Sequence, residues 1–236
     1  MSNAVVSPDF TLAEETVEGF YRDGYFYAPG LLTRDAVDRL NAESAPYVSA
    51  IQEGAEWKAR SFSHFDKHEA EMPETARLLR DPAMVGVFER ALGGKVRLWV
   101  GMHAIVAPYG SGLEWHQDNM YTHVLGHIMN VFIALDFITQ ENAGLWIAPE
   151  SHRLGRQPNL FDENNPHRKA AEPANGIPCQ PMAPGDAVFF FRDTLHHSKK
   201  NLTDKPRRAL ALQIASDTCR IAASGKRVDM RQMLSR

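Results

Sequence analysis

Pro184-Gly185-Asp186-Ala187-Val188-Phe189-Phe190-Phe191-Arg192-Asp193-Thr194-Leu195-His196-His197-Ser198 is the stretch whose reading decides the fold. A Pro-Gly turn launches a short apolar and aromatic run of strand length, and a histidine pair stands beyond its far end. The same texture recurs around it. Val96–Val106 reads as a strand, Pro108-Tyr109-Gly110-Ser111-Gly112 as a turn, and Val131–Ile138, Leu145–Ala148 and Arg208–Ala215 as further strands. Short strands divided by Pro, Gly and Asn turns predict a two-sheet jelly-roll barrel, a double-stranded β-helix.

The first third differs. Leu12–Tyr21 and Asp35–Val48 space apolar residues at three- and four-residue intervals among charges, which predicts helices, the second with Thr33 as its N-cap. Between them Gly24-Tyr25-Phe26-Tyr27, closed by Pro29-Gly30, predicts a short strand and a turn. A third helix is expected from Glu74 to Leu92, stopping at Gly93-Gly94. The expected fold is therefore mainly β with flanking α-helices, in one domain over 1–236. It comprises a mainly helical part (1–94), a jelly-roll core (95–216) and a C-terminal extension (217–236). The polar segment His152–Gly176 is expected to be a surface insertion able to cover a site.

The chain has 236 residues, with 44% hydrophobic and 23% charged residues, ordinary values for a globular protein. Its net charge of -3 comes without a basic stripe, so no nucleic-acid partner is expected. The two cysteines, Cys179 and Cys219, form neither a disulfide framework nor a thiolate metal site and fit a reducing cytosol. Met1–Phe10 lacks a signal-peptide pattern and no apolar run approaches membrane-spanning length, so a cytoplasmic location and no membrane partner are expected.

Chemistry first becomes visible at His116-Gln117-Asp118. Residues i and i+2 of extended backbone point to one face, so an H-x-D pair can chelate one ion there. With one more histidine it makes a 2-His-1-carboxylate facial triad, which leaves positions free on Fe(II). His64-Phe65-Asp66 has the same spacing but lies among Arg60, Lys67, Glu69 and Glu71 with no preceding strand and turn, so it is read as a solvated segment. His196 and His197 face opposite ways in extended backbone, so at most one of them completes the triad. Further on, Arg207, Ala209, Ala211 and Gln213 share one face of an alternating run and resemble a cavity wall, while Arg208, Leu210, Leu212 and Ile214 share the other. The Arg207 guanidinium offers a planar fork for a dicarboxylate's far end.

Trp115-His116-Gln117-Asp118, Glu141-Asn142-Ala143-Gly144-Leu145, Pro149-Glu150-Ser151-His152 and His196-x-Ser198-x-x-Asn201 followed by Arg207 together resemble the phytanoyl-CoA dioxygenase family of Fe(II)/2-oxoglutarate-dependent oxygenases. The resemblance implies that His116, Asp118 and His196 ligate iron, that Arg207 and Ser198 hold the distal carboxylate of 2-oxoglutarate, and that Phe132 packs beside it. His197, Ala143 and Glu150 stand where the family tends to have glycine. Asp118 argues against halogenation, since halogenating relatives carry a small residue there.

By resemblance the chain is an enzyme that converts 2-oxoglutarate and O2 to succinate and CO2 while hydroxylating a small metabolite. Desaturation, epimerisation or cyclisation would use the same oxidant. A non-catalytic jelly-roll binding protein is the alternative from another class; a zinc hydrolase lacks its usual H-E-x-x-H helix. For substrate contact the candidates are Gln117 and Asn119, which flank the metal ligands, and His103. That histidine shares a strand face with Trp99, Gly101 and Ile105; it either looks into the cavity or is a hydrogen-bonded core residue.

Overall fold

A computed structural model describes residues 4–52, 60–228 and 232–235. Along the chain run α1 (Glu14–Asp23), β1 (Tyr25–Ala28), α2 (Arg34–Gln52), β2 (Arg60–His64), α3 (Phe65–His68), α4 (Pro73–Arg80) and α5 (Pro82–Leu92). Then follow β3 (Val96–Val106), β4 (Leu113–His116), β5 (Val124–Leu125), β6 (Ile128–Ala134), β7 (Leu145–Ile147), β8 (Ile177–Pro178), β9 (Ala187–Phe191), β10 (His196–Ser198), β11 (Arg207–Ser216) and β12 (Arg220–Ile221).

Local chemistry explains the helix ends. Gly24 closes α1 in the left-handed region at φ 85, and Thr33 Oγ1 accepts the Ala36 N–H at 3.2 Å to cap α2. The single helix expected over Glu74–Leu92 is two. Pro82 disfavours helical geometry at the residue before it, and Asp81 restarts the helix by accepting from the Ala83 and Met84 N–H groups.

The strands form an antiparallel sheet in the order β1-β9-β6-β11-β3-β2, faced by a smaller one in the order β4-β10-β7-β8. Both edges of the larger sheet come from the helix-rich first third. Alternation along the strands sorts the two faces. Val131, Ile133, Phe189, Leu210, Leu212 and Ile214 pack with Phe20, Leu40, Leu79 and Phe88 under the helices. Phe132, Ala134, Val188, Phe190 and Ala209 turn inward against Leu145 and Ile147 of the smaller sheet. At roughly 1.5–3 kcal/mol per fully buried large apolar side chain, the helix-covered layer is the main source of cohesion, and the inner layer forms the barrel interior.

The strand expected over Val131–Ile138 begins earlier, at Ile128, and ends at Ala134, after which Asp136 turns its carboxylate to Arg208. Short β2, β4 and β10 lie outside the strands foreseen, having three to five residues of mixed polarity. His64 therefore ends a strand, contrary to the reading of that segment, and Phe65 is buried while Asp66 is exposed. The last described residues return to the sheet: Leu234 N–H donates to the Val96 carbonyl and Ser235 Oγ accepts from Val96 N–H.

Gly112 packs flush on the turn after β10, and a Cβ there would collide with the Ser198 and Lys199 carbonyl oxygens. Gly112→Ala should lower stability by about 1–3 kcal/mol, the usual range for forced overpacking. Gly94→Ala, where a Cβ meets nothing within 4 Å, should stay within about 0.5 kcal/mol of the parent. Urea unfolding of both variants measures the contrast.

Candidate metal centre

His116 closes β4 and His196 opens β10, and the two are direct cross-strand partners with ring centroids 4.2 Å apart. Asp118 follows at the start of a short 3-10 turn. His116 Nε2 lies 3.6 Å from Asp118 Oδ1, and His196 Nε2 lies 3.9 Å from Asp118 Oδ2. Among the described residues, these three form the cluster of such donors close enough to share an ion, with one atom from each all within 4.8 Å.

The ring orientations are set from behind. His116 Nδ1 is 2.7 Å from the Glu114 carbonyl oxygen and His196 Nδ1 is 2.9 Å from that of Thr194. A carbonyl only accepts, so each Nδ1 carries the proton and each Nε2 turns a lone pair toward the cluster. Asp118 Oδ2 accepts from Asn130 Nδ2 at 2.8 Å and Gln213 Nε2 at 2.9 Å. Burial pushes the Asp118 carboxyl up, but contact with His116 and the fields of His196, His116 and Arg192 outweigh it, holding the group well below the usual carboxylate range. Burial, then His116, pushes His196 down to about 4. Two imidazole nitrogens and one carboxylate oxygen converging within 4.8 Å are a donor set for a divalent cation, so the residues fit Fe(II).

His197 points the other way, its ring 4.4 Å from that of Trp115. The cavity extending from the cluster is walled by Met102, Phe132, Leu145, Phe190 and Ala211, and also reaches Ser198 and Arg207. Arg207 is 3% exposed. Its Nη1 donates to the Ala104 carbonyl at 3.3 Å, its Nε is buried without a hydrogen-bond partner, and its guanidinium carbon sits 5.2 Å from the Phe132 ring centre. Burial pushes this guanidinium down to about 10, against the opposing pull of Asp136. A buried cation with an orphaned donor is a site for an anion. Ser198 Oγ accepts from Leu113 N–H at 3.3 Å on the same wall. Arg208 instead forks onto Asp136.

Three substrate candidates are not in the cavity. His103 is fully buried on the opposite face of β3, with Nε2 2.9 Å from Glu43 Oε1 and its ring beside Tyr47. The face expected for it is also broken: a bulge opposite Gln213 and Ile214 makes Trp99 an extra residue, so it parts from Gly101 and His103. Gln117 is 0% exposed; its amide donates to the Gly155 and Asp193 carbonyls and accepts from Gln157 N–H. Asn119 donates to the Val124 carbonyl and Asp193 Oδ1 and accepts from Val124 N–H. Both amides are consumed in tying loops together. Gln117, with Arg156 donating to the Asn119 and Met120 carbonyls, pins the segment 152–176 along the outer side of the H-x-D turn. Asn130 was missed, although a lone amide in Ile128-Met129-Asn130-Val131-Phe132-Ile133-Ala134 is itself a signal, since a buried polar group needs a partner.

The family description phytanoyl-CoA dioxygenase (PhyH) matches residues 20–209. Methylphosphonate hydroxylase of Gimesia maris is 39% identical over 106 residues, which cover 44% of this chain and 40% of that protein. L-proline trans-4-hydroxylase of Streptomyces griseoviridis is 30% identical over 147 residues, covering 57% and 53%. The chain thus spans about half the length of these relatives. Among solved structures, the non-haem alpha-ketoglutarate-dependent epimerase SnoN from nogalamycin biosynthesis matches with a TM-score of 0.74 at 20% identity, over 94% of this chain and 98% of that one. At that identity the likeness is one of fold.

Gln117→Ala strands the Asp193 carbonyl and the Gln157 N–H, while the Gly155 carbonyl keeps the Gln157 side-chain amide. The expected cost is about 1–3 kcal/mol of stability, with faster amide exchange at 155–157. Exchange unchanged from the parent would mean that the insertion is held by other contacts.

Proposed function

Because this chain belongs to the phytanoyl-CoA dioxygenase family, we propose that it is a non-haem Fe(II)/2-oxoglutarate-dependent dioxygenase. In this reading it hydroxylates an unactivated C–H of a small metabolite as 2-oxoglutarate and O2 become succinate and CO2. The observation that carries this reading is a single cavity bordered by a His-Asp-His cluster and by a buried arginine with a free donor. Bound Fe(II) supplies the redox centre at which O2 and the 2-oxo acid react.

The chain's own residues then have defined tasks. His116, Asp118 and His196 would hold the ion, and as three ligands they would leave coordination positions for the co-substrate. Arg207 and Ser198 hold the distal carboxylate of 2-oxoglutarate, with Phe132 packed against the guanidinium so that water does not compete for it. Leu145 and Phe190 keep the intervening space apolar, which strengthens the charge-assisted bonds at the arginine. His197 is outside this set. Two relatives named for methylphosphonate and L-proline support a small, free, polar substrate over a carrier-bound one. We further propose a single domain over the whole chain in a cytoplasmic setting.

His116→Ala or His196→Ala should abolish Fe(II) binding and succinate formation, while His197→Ala should retain most of both; the reverse order for the two adjacent histidines would move the third ligand by one residue.

Arg207→Ala should keep iron but raise the 2-oxoglutarate dissociation constant roughly thirty-fold to several thousand-fold, the equivalent of about 2–5 kcal/mol for a buried charge losing its partner. Arg207→Lys should recover part of this, and Arg208→Ala should change little. Anaerobic titration of 2-oxoglutarate into the Fe(II) protein, followed by the metal-to-ligand charge-transfer band, reads the difference. No band and no succinate in the wild type would sink the dioxygenase reading.

A further inference from the structure

Asn130 and Gln213 occupy directly paired positions on neighbouring strands β6 and β11, at 5% and 9% exposure. Their two amides converge on one atom, Oδ2 of Asp118, at 2.8 and 2.9 Å. These strands belong to the larger sheet, whereas His116 and His196 stand on the smaller one. The two amides therefore reach across the barrel to hold the carboxylate that the H-x-D turn presents.

Counting lone pairs gives the contact a chemical meaning. An ionised carboxylate oxygen has about two acceptor sites in its plane. Two amide N–H donors fill both sites on Oδ2 and leave Oδ1, which faces His116, with its own. From this we infer that Asn130 and Gln213 are positioning residues that make Asp118 a one-oxygen ligand through Oδ1. The inference rests on the proposed metal site and adds to it a reason why that site keeps room for its co-substrate. A carboxylate released from the amides can turn both oxygens to the ion, and the second would occupy a position that 2-oxoglutarate needs. Oδ2 also lies within 3.9 Å of His196 Nε2, so a small rotation suffices. Neither amide touches the reacting atoms in this account.

The test uses the full chain with Asn130→Leu, Gln213→Met and the double variant, which keep volume and remove the donors. Mn(II) affinity is measured by isothermal titration. Then 2-oxoglutarate is titrated anaerobically into protein saturated with Fe(II), following the charge-transfer band. Each single variant should lose about 10–100-fold in Mn(II) affinity, the usual effect of removing a hydrogen-bond partner from a metal ligand. At saturating iron, the 2-oxoglutarate dissociation constant should still rise at least about ten-fold, an effect that mere loosening of the fold would not produce once the metal is bound.

Asn130→Asp and Gln213→Glu retain shape while replacing each donor by an acceptor, and should likewise raise the 2-oxoglutarate dissociation constant at saturating iron. They serve as the deciding pair if the apolar variants do not fold. Wild-type affinities for both Mn(II) and 2-oxoglutarate, within two-fold, in either set of variants would overturn the inference while leaving the dioxygenase reading intact. Failure of the wild type itself to bind metal and 2-oxoglutarate would remove the reading on which the inference stands.

Discussion

The pairing of His116 with His196 across β4 and β10 is the constraint on which the remaining geometry depends. Both strands are short, and neither has the length or polarity to form alone. They are held because Gly112 lets the entry to β4 lie flush against the exit from β10, and because Thr194 and Glu114 offer backbone carbonyls to the two Nδ1 atoms. Once the imidazoles face each other at this register, Asp118 has one place to go, two residues beyond His116 and within reach of both rings. The ridge of the larger sheet then closes the set from the opposite side through Asn130 and Gln213.

Around that pair the barrel interior manages its charges by isolating them. Asp118 is surrounded by donors and stays ionised; Arg207 is buried with an unmet donor and stays charged despite burial. The two opposite charges do not neutralise each other, because apolar side chains such as Phe132 of β6 and Ala211 of β11 line the cavity between them. Asp136, the anion that could satisfy Arg207, is turned to Arg208 on the other face of the strand. A cavity built this way carries an anion at one end and a cation at the other.

Much of the barrel was legible because the longer strands have side chains of one character on each face. β9 coincides with the run Ala187–Phe191, and β11 alternates Leu210, Leu212 and Ile214 against Ala209 and Ala211. The helix break at Asp81 was not read, because helical spacing continues on both sides of Asp81-Pro82. The short strands β2 and β10 were not legible: a run of three to five polar or mixed residues has no periodicity to read, and its conformation comes from a neighbour. His103 marks a different limit. Its strand is buried or half-buried at every residue, so period two separates the faces without saying which of them lines the cavity, and Glu43 from α2 claims it.

What the sequence determined by itself was the chemistry: which residues can chelate, which can fork onto a carboxylate, and that an H-x-D on extended backbone presents both donors together. These follow from covalent structure and local geometry. Tertiary structure decided everything that depends on who stands opposite. It put Gln117 and Asn119 to work bracing loops, because fully used amides have nothing left for a ligand. It also brought Asn130 and Gln213 onto one oxygen of Asp118, since the alignment of β6 with β11 and of both with the far sheet is a property of the packed barrel and of no single segment.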